Sequence, residues 1–232
     1  MNTVKDYILN NEITFIITSP NTRTLSIINL LNELSIKDKY KAILFSFNIS
    51  SNYYIQKLIS FLSGISNNVI TKYFYPCTTM SKCNKDKINR NSFIDSIEKI
   101  QNSKILMNCE KHTADNDYID YVLNYSESDV IIIDNLYELL DKTKYSLDEI
   151  IRQVENKKDI HLVLFISARY KEKVMKEFNK EIRNCIFIDG YNYGEYKDIN
   201  ININILNKIF KLRFNKMNQI MEEIDEGELC DN

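Results

Sequence analysis

At 232 residues, with 44% hydrophobic and 27% charged side chains, the chain is long enough to bury one large α/β core or two small ones. Its net charge of −2 excludes a protein that coats nucleic acid or a membrane surface by bulk charge, so any polyanion contact must come from a local patch. No apolar run approaches the ~18 residues of a membrane span, and the N-terminus, MNTVKDYILNNE, has neither the basic start nor the apolar core of a signal peptide. Cys77, Cys83, Cys109, Cys185 and Cys230 make an odd set without tight spacing, which fits a reduced, cytoplasmic chain.

Strand-like runs alternate with helical patterns along the chain. Residues 13–18 (ITFIIT) read as a strand, and a helix follows from about Thr22, with Ile27, Leu30, Leu31 and Leu34 on one face. KAILFSF (41–47) is a second strand. The next helix opens at a serine cap, stripes Ile55, Leu58, Ile59 and Leu62, and stops at Gly64. NVITKYFYP reads as a short strand or a helix end, 76–88 as a polar, basic loop, and 91–101 as a helix. The strand KILMNC (104–109) precedes a helix carrying Tyr118, Ile119, Val122 and Leu123. DVIIIDNL (129–136) is the most apolar strand and ends in an acid. SLDEIIRQVEN is a helix opened by Ser146 with Glu149 three residues on, a capping box. IHLVLFIS (160–167) is another buried strand, and 170–181 a charged helix. NCIFIDG (184–190), DININI (198–203) and IFKLRF (209–214) are late strands, the last two alternating as edge strands do.

Continuous apolar strands separated by helices argue for a mostly parallel sheet covered on both faces. The expected organisation is a single domain over 1–221 with an acidic, flexible tail over 222–232.

Several segments, in order, resemble the C-terminal motor domain of DnaB-type replicative helicases, a RecA-like fold. FIITSPNTRTLSIINLL lies where that family has its phosphate loop. AILFSFNISSNYYIQKLISFLSGI resembles its next strand and helix, and KILMNCEKHTADNDYIDYVL the short strand and helix after that. DVIIIDNLYEL is similar to the second acidic nucleotide motif, HLVLFISARY to the strand that ends in Ser-Gln, and IFKLRFNKMNQ to the closing strand. The resemblance spans roughly residues 13–221. It implies a three-layer α/β/α architecture with a mostly parallel sheet and late antiparallel or edge strands.

The chemistry of that family is harder to find. A phosphate loop needs glycines so that backbone N–H groups close on the phosphates, a lysine to neutralise them, and a Ser/Thr to hold Mg²⁺. The stretch Ser19-Pro20-Asn21-Thr22-Arg23-Thr24 has no glycine and no lysine. Arg23 and Thr24 are what remains for the last two roles, and arginine is a poor substitute for a compact lysine. The plainer reading is a helix entry capped by Thr22 or Thr24. The family's catalytic glutamate falls on Asn48, whose amide cannot take a proton. Its γ-phosphate-sensing glutamine falls on Ala168, and no Lys-x-Arg stands between Asn200 and Lys208. Asp134 alone matches, as a vestigial nucleotide residue beside the vestigial Asn48.

Other chemistry is sparse. Cys77, Cys83, Cys109 and His112 could be assembled into a zinc set, but the gap between the first two is wider than usual, so no metal site is expected. His161 reads as a packed or surface histidine. Lys82, Lys85, Lys87 and Arg90 form one basic cluster, near Tyr73, Phe74 and Tyr75. Arg169, Lys171, Lys173, Lys176, Lys180 and Arg183 form a second. The second is the candidate nucleic-acid contact, although interleaved Glu172, Glu177 and Glu181 also suit a solvated helix face.

The leading expectation is a helicase-derived RecA-like protein without ATPase activity, a binding or regulatory factor in DNA replication or mobile-element maintenance. It would need no cofactor and would act on a protein partner such as a replicative helicase or replisome component, with weak single-stranded DNA binding, no membrane, and a monomeric or dimeric state. The alternative is a divergent ATP-dependent helicase or ATPase that binds ATP and Mg²⁺ through Arg23, Thr24 and Asp134. An unrelated α/β interaction protein is the third reading.

Overall fold

A computed structural model describes residues 2–74, 90–109, 127–142, 145–156, 159–172, 176, 184–193, 196–203, 208–215 and 221–223. In chain order the elements are α1 (Asn2–Leu9), β1 (Ile13–Thr18), α2 (Pro20–Leu31), β2 (Ala42–Ser46), α3 (Ser51–Ser63), α4 (Asn67–Phe74), α5 (Arg90–Gln101) and β3 (Ile105–Asn108). They continue as β4 (Val130–Asp134), α6 (Leu136–Lys142), α7 (Leu147–Glu155), β5 (His161–Ser167), β6 (Cys185–Tyr193), β7 (Tyr196–Ile203), β8 (Lys208–Asn215) and β9 (Met221–Glu223). The strands join in one sheet in the order β3-β2-β4-β5-β1-β6-β7-β8-β9. From β3 to β6 every pairing is parallel, and from β6 to β9 every pairing is antiparallel.

Period-2 alternation divides the sheet's side chains between two cores. On one face Ile16, Leu44, Ile132, Val163 and Ile186 pack with Ile27 and Leu30 of α2, Tyr54 and Leu58 of α3, and Ile8 of α1. On the other, Phe15, Ile43, Ile131, Leu164 and Cys185 pack with Leu139 of α6 and Ile150 and Val154 of α7. Each central strand is apolar at consecutive positions because both of its faces are covered. Helices therefore flank a mostly parallel sheet with late antiparallel strands, a three-layer α/β/α architecture.

The helix ends follow local chemistry. Ser50 caps α3 by accepting from the Tyr53 amide, and Gly64 ends it at φ 69°, where a Cβ would be strained. Ser146 and Glu149 form the capping box of α7. The entry to α2 corrects the expectation. The helix starts at Pro20, whose missing N–H costs nothing there, and Ser19 is its first flanking residue, so Thr22 and Thr24 lie inside the helix and neither caps it. α2 runs on into a π-helical segment, Asn32–Lys37, tied to α1 by Lys5 and Asp38 at 2.6 Å.

Other differences are local. NVITKYFYP contributes helix rather than strand, α1 had no sequence signal, and the buried stripe of α3 is centred on Tyr54, Leu58 and Ile59. Met221–Glu223 pairs with β8 as a short last strand. The basic loop at 76–88, the helix with Tyr118 and Val122, and residues 224–232 lie outside the described residues.

Candidate functional site

In parallel α/β sheets, ligand-handling groups gather beyond the carboxyl ends of the strands. Here β1, β2, β4 and β5 end on Thr18, Ser46, Asp134 and Ser167, all buried. Alternation places all four on the face covered by α2 and α3, continuing Ile16, Leu44, Ile132 and Phe165. A polar row thus crowns one apolar core.

Asp134 is the centre of this row, with its side chain 1% exposed. Its Oδ1 lies 2.6 Å from Nε of Arg23 on α2, an ionic contact in which the N–H is not aligned as a hydrogen bond. Its Oδ2 accepts the Tyr54 hydroxyl from α3 and, at 3.4 Å, the Ser46 hydroxyl from β2. Burial holds the Asp134 carboxyl above its ordinary value, while Arg23 and Tyr54 pull it down. Tyr54 is pushed up by the same burial and by the negative Asp134. Cys109, just past β3, borders the cluster, and burial raises its thiol to about 11.

The phosphate-loop position has no loop. β1 ends at Thr18, α2 begins at Pro20, and Ser19 alone joins them. A phosphate-binding helix end offers free amides to the anion. Here Pro20 has none, and the Thr22 and Arg23 amides both donate to the Ser19 carbonyl at 3.0 Å. The Ser19 hydroxyl is paired with the Thr22 hydroxyl at 2.7 Å. Nor does the acid fit a metal: hydrated Mg²⁺ needs near-octahedral oxygen ligands, whereas both Asp134 oxygens face donors of this chain. The residues present do not fit a Mg-nucleotide.

The junction after β4 is different. Asn135 alone links β4 to α6, with φ 132°, an uncommon conformation for a residue with a Cβ. Its amide donates to Glu138 at 2.8 Å, which holds the turn.

The other expected residues are dispersed. Thr24 lies half-buried inside α2 and makes no polar contact with Asp134. Asn48 is exposed in the bend after β2. In the second basic cluster Arg169, Lys171 and Lys176 are exposed. The Arg169 guanidinium lies 4.6 Å from the Tyr170 ring centre, Tyr170 lies 4.4 Å from Tyr137, and Lys171 lies 4.4 Å from the Phe187 ring. Lys173, Lys180 and Arg183 lie outside the described residues, as do Lys82, Lys85, Lys87, Tyr75, Cys77, Cys83 and His112. Phe74 and Arg90 are exposed. His161 packs at the far end of β5, its Nδ1 3.0 Å from the Asn11 carbonyl. Among the described residues no three His, Cys, Asp or Glu side chains gather as a metal set, and no helix is long and apolar enough to cross a membrane.

Sequence reading missed Tyr54 and Ser46. Their signal was present: several apolar runs end on one hydroxyl or acid in the same alternation phase, and Tyr54 stands four residues before Leu58.

No family profile matches the chain. A DnaB-like replicative helicase, described with its interactions with primase, superposes with TM-score 0.60 at 13% identity over 94% of this chain and 60% of its own. The flagellar accessory protein FlaH from Methanocaldococcus jannaschii superposes with TM-score 0.60 at 12% identity over 96% of this chain and 95% of its own. A KaiC-like protein from Pyrococcus horikoshii gives TM-score 0.51 at 10% identity, over 92% and 89%. A curated sequence, the ribosomal protein uS12 methylthiotransferase RimO of Thermosipho melanesiensis, is 32% identical over 98 residues, 37% of this chain. This chain spans 22% of that protein's length. The fold is RecA-like, similar to the motor domain of DnaB-type helicases.

Proposed function

We propose that this RecA-like chain works by binding rather than by ATP turnover, as a regulatory factor of DNA replication or mobile-element maintenance. The observation that carries the reading is the one-residue junction at Ser19, where a nucleotide-using relative would need a loop around phosphate. Arg23 is turned inward onto Asp134 and away from any such ligand. Asn48 and Ala168 add no group able to polarise water or sense a γ-phosphate. The partner in this reading is a protein of the replicative-helicase or replisome class, suggested by the likeness to a DnaB-like helicase.

Calorimetry with Mg-ATP tests the reading. Binding weaker than ~1 mM, worth less than about 4 kcal/mol, is expected. Micromolar binding abolished by Asp134→Asn would overturn it and favour the divergent ATPase. That second reading draws on the retained acid and on Asn135 beside it, since uncommon backbone conformations gather at active sites.

Weak single-stranded DNA binding belongs to the same proposal, through Arg169, Lys171 and Lys176 at the carboxyl end of β5. It should be steeply salt-dependent and indifferent to sequence. Charge reversal at Lys171 and Lys176 should abolish it in a fluorescence-anisotropy titration, and unchanged binding would move the contact elsewhere.

A further inference from the structure

The Asp134 carboxylate is held from three directions by elements distant in sequence. Arg23 reaches it from the first turn of α2, Tyr54 from the first turn of α3, and Ser46 from the end of β2. In the sheet, β5 separates β4 from β1, so the acid and the start of α2 are two strand spacings apart, roughly 10 Å. A long cationic side chain is needed to close that gap. An ionised carboxylate buried to this depth requires a counter-charge, and a guanidinium accepts partial burial more readily than an ammonium because it is less strongly hydrated. The Arg23 side chain is only 12% exposed, so its charge is committed to this site.

We infer that Asp134, positioned through its other oxygen by Tyr54 and Ser46, forms a guanidinium-binding site whose permanent occupant is the chain's own Arg23, standing where a relative would place a metal and nucleotide. The cation that joins α2 to β4 is thereby covalently part of the protein. The junction between β1, α2, α3 and β4 is closed from the moment of folding and does not wait for a ligand. This inference rests on the reading that nucleotide is not the site's occupant, but it is tested without nucleotide.

The experiment is chemical rescue in thermal melts at neutral pH. Arg23→Ala should lower the melting temperature by about 10 °C, the scale of a broken buried ion pair in a chain this size. Five to ten millimolar N-methylguanidinium should then raise the melting point of Arg23→Ala by about 2 °C or more through mass action. The same concentration of methylammonium should do less, and neither should stabilise the wild-type protein. The double variant Arg23→Ala/Asp134→Asn should melt above Arg23→Ala and ignore methylguanidinium, since no unpaired charge is left. If Arg23→Ala does not fold, recovery of a folded chain by the double variant supports the same conclusion. A melting point of Arg23→Ala within about 2 °C of wild type would overturn the inference, as would a double variant no better than the single. Micromolar ATP binding by the wild-type protein, with the rescue as expected, would instead defeat the proposed function and leave the guanidinium site standing.

Discussion

Two strand-to-helix junctions, separated by β5, lie at the carboxyl ends of the parallel strands and are built differently. Between β1 and α2, Ser19 adopts an ordinary extended conformation, Pro20 has no N–H to offer, and the Thr22 and Arg23 amides are bonded to the Ser19 carbonyl. Between β4 and α6, Asn135 takes φ 132°, and the residue before it is a buried acid. The first junction has settled into plain structure. The second keeps a backbone conformation costing on the order of 1–3 kcal/mol, next to a carboxylate whose burial is also unfavourable. Relaxation at one junction and retained cost at the other are linked, because Arg23 from the relaxed side neutralises the acid on the strained side.

The largest effect expected from breaking that link is at the acid. Asp134→Ala leaves Arg23 partly buried without its partner and should cost about 3–5 kcal/mol in urea unfolding. A cost below 1 kcal/mol would mean that the two junctions are independent. Tyr54→Phe removes one donor to the carboxylate and should cost about 1.5–3 kcal/mol.

The pH dependence sharpens the same contrast. Asp134 has its folded pKa raised, so the native state binds its proton more readily than the unfolded chain does. Burying its charge is therefore a penalty that is complete above the folded pKa and relieved as pH falls through it. Glu149 is the opposite case: hydrogen bonds from Ser146 lower its pKa, so its contribution is present above the unfolded value and lost as pH falls through the folded one. Subtracting an Asp134→Asn stability profile from wild type should show the penalty shrinking toward acid. A flat difference would place the charge in water.

Helix caps give the smaller test. Ser146→Ala removes a full capping box and should cost about 1 kcal/mol. Ser19→Ala should cost only a few tenths, because its hydroxyl bonds Thr22 and no backbone amide. Asn135→Gly should gain up to about 1 kcal/mol, reduced by loss of the bond to Glu138. A clear loss there would show that the turn is held by that bond more than it is strained.

Much of the fold was legible because its signals are local. VIIID, HLVLFIS and ITFIIT are too apolar for anything but strands covered on both faces, and the caps at Ser50, Gly64 and Ser146 mark helix ends by chemistry within a few residues. The entry to α2 was misread by two residues because Thr22 and Thr24 are also good caps in isolation, while Pro20 at the first helical position makes Ser19 the better boundary. Helix α1 escaped because an eight-residue segment has little propensity of its own and gains its stability by packing Val4, Tyr7 and Ile8 against the sheet.

The sequence by itself determined the alternation of strands and helices, the absence of glycine and lysine after β1, and an acid at the end of β4. Each of these is a matter of residue type and short spacing. What occupies that acid was decided only by the tertiary structure. Arg23, Ser46, Tyr54 and Asp134 come together because the strand order brings β2 and β4 into register and lays α2 and α3 across their ends. Burial there turns four unremarkable polar residues into one electrostatic unit, since a charge removed from water must find its counter-charge within a few ångströms.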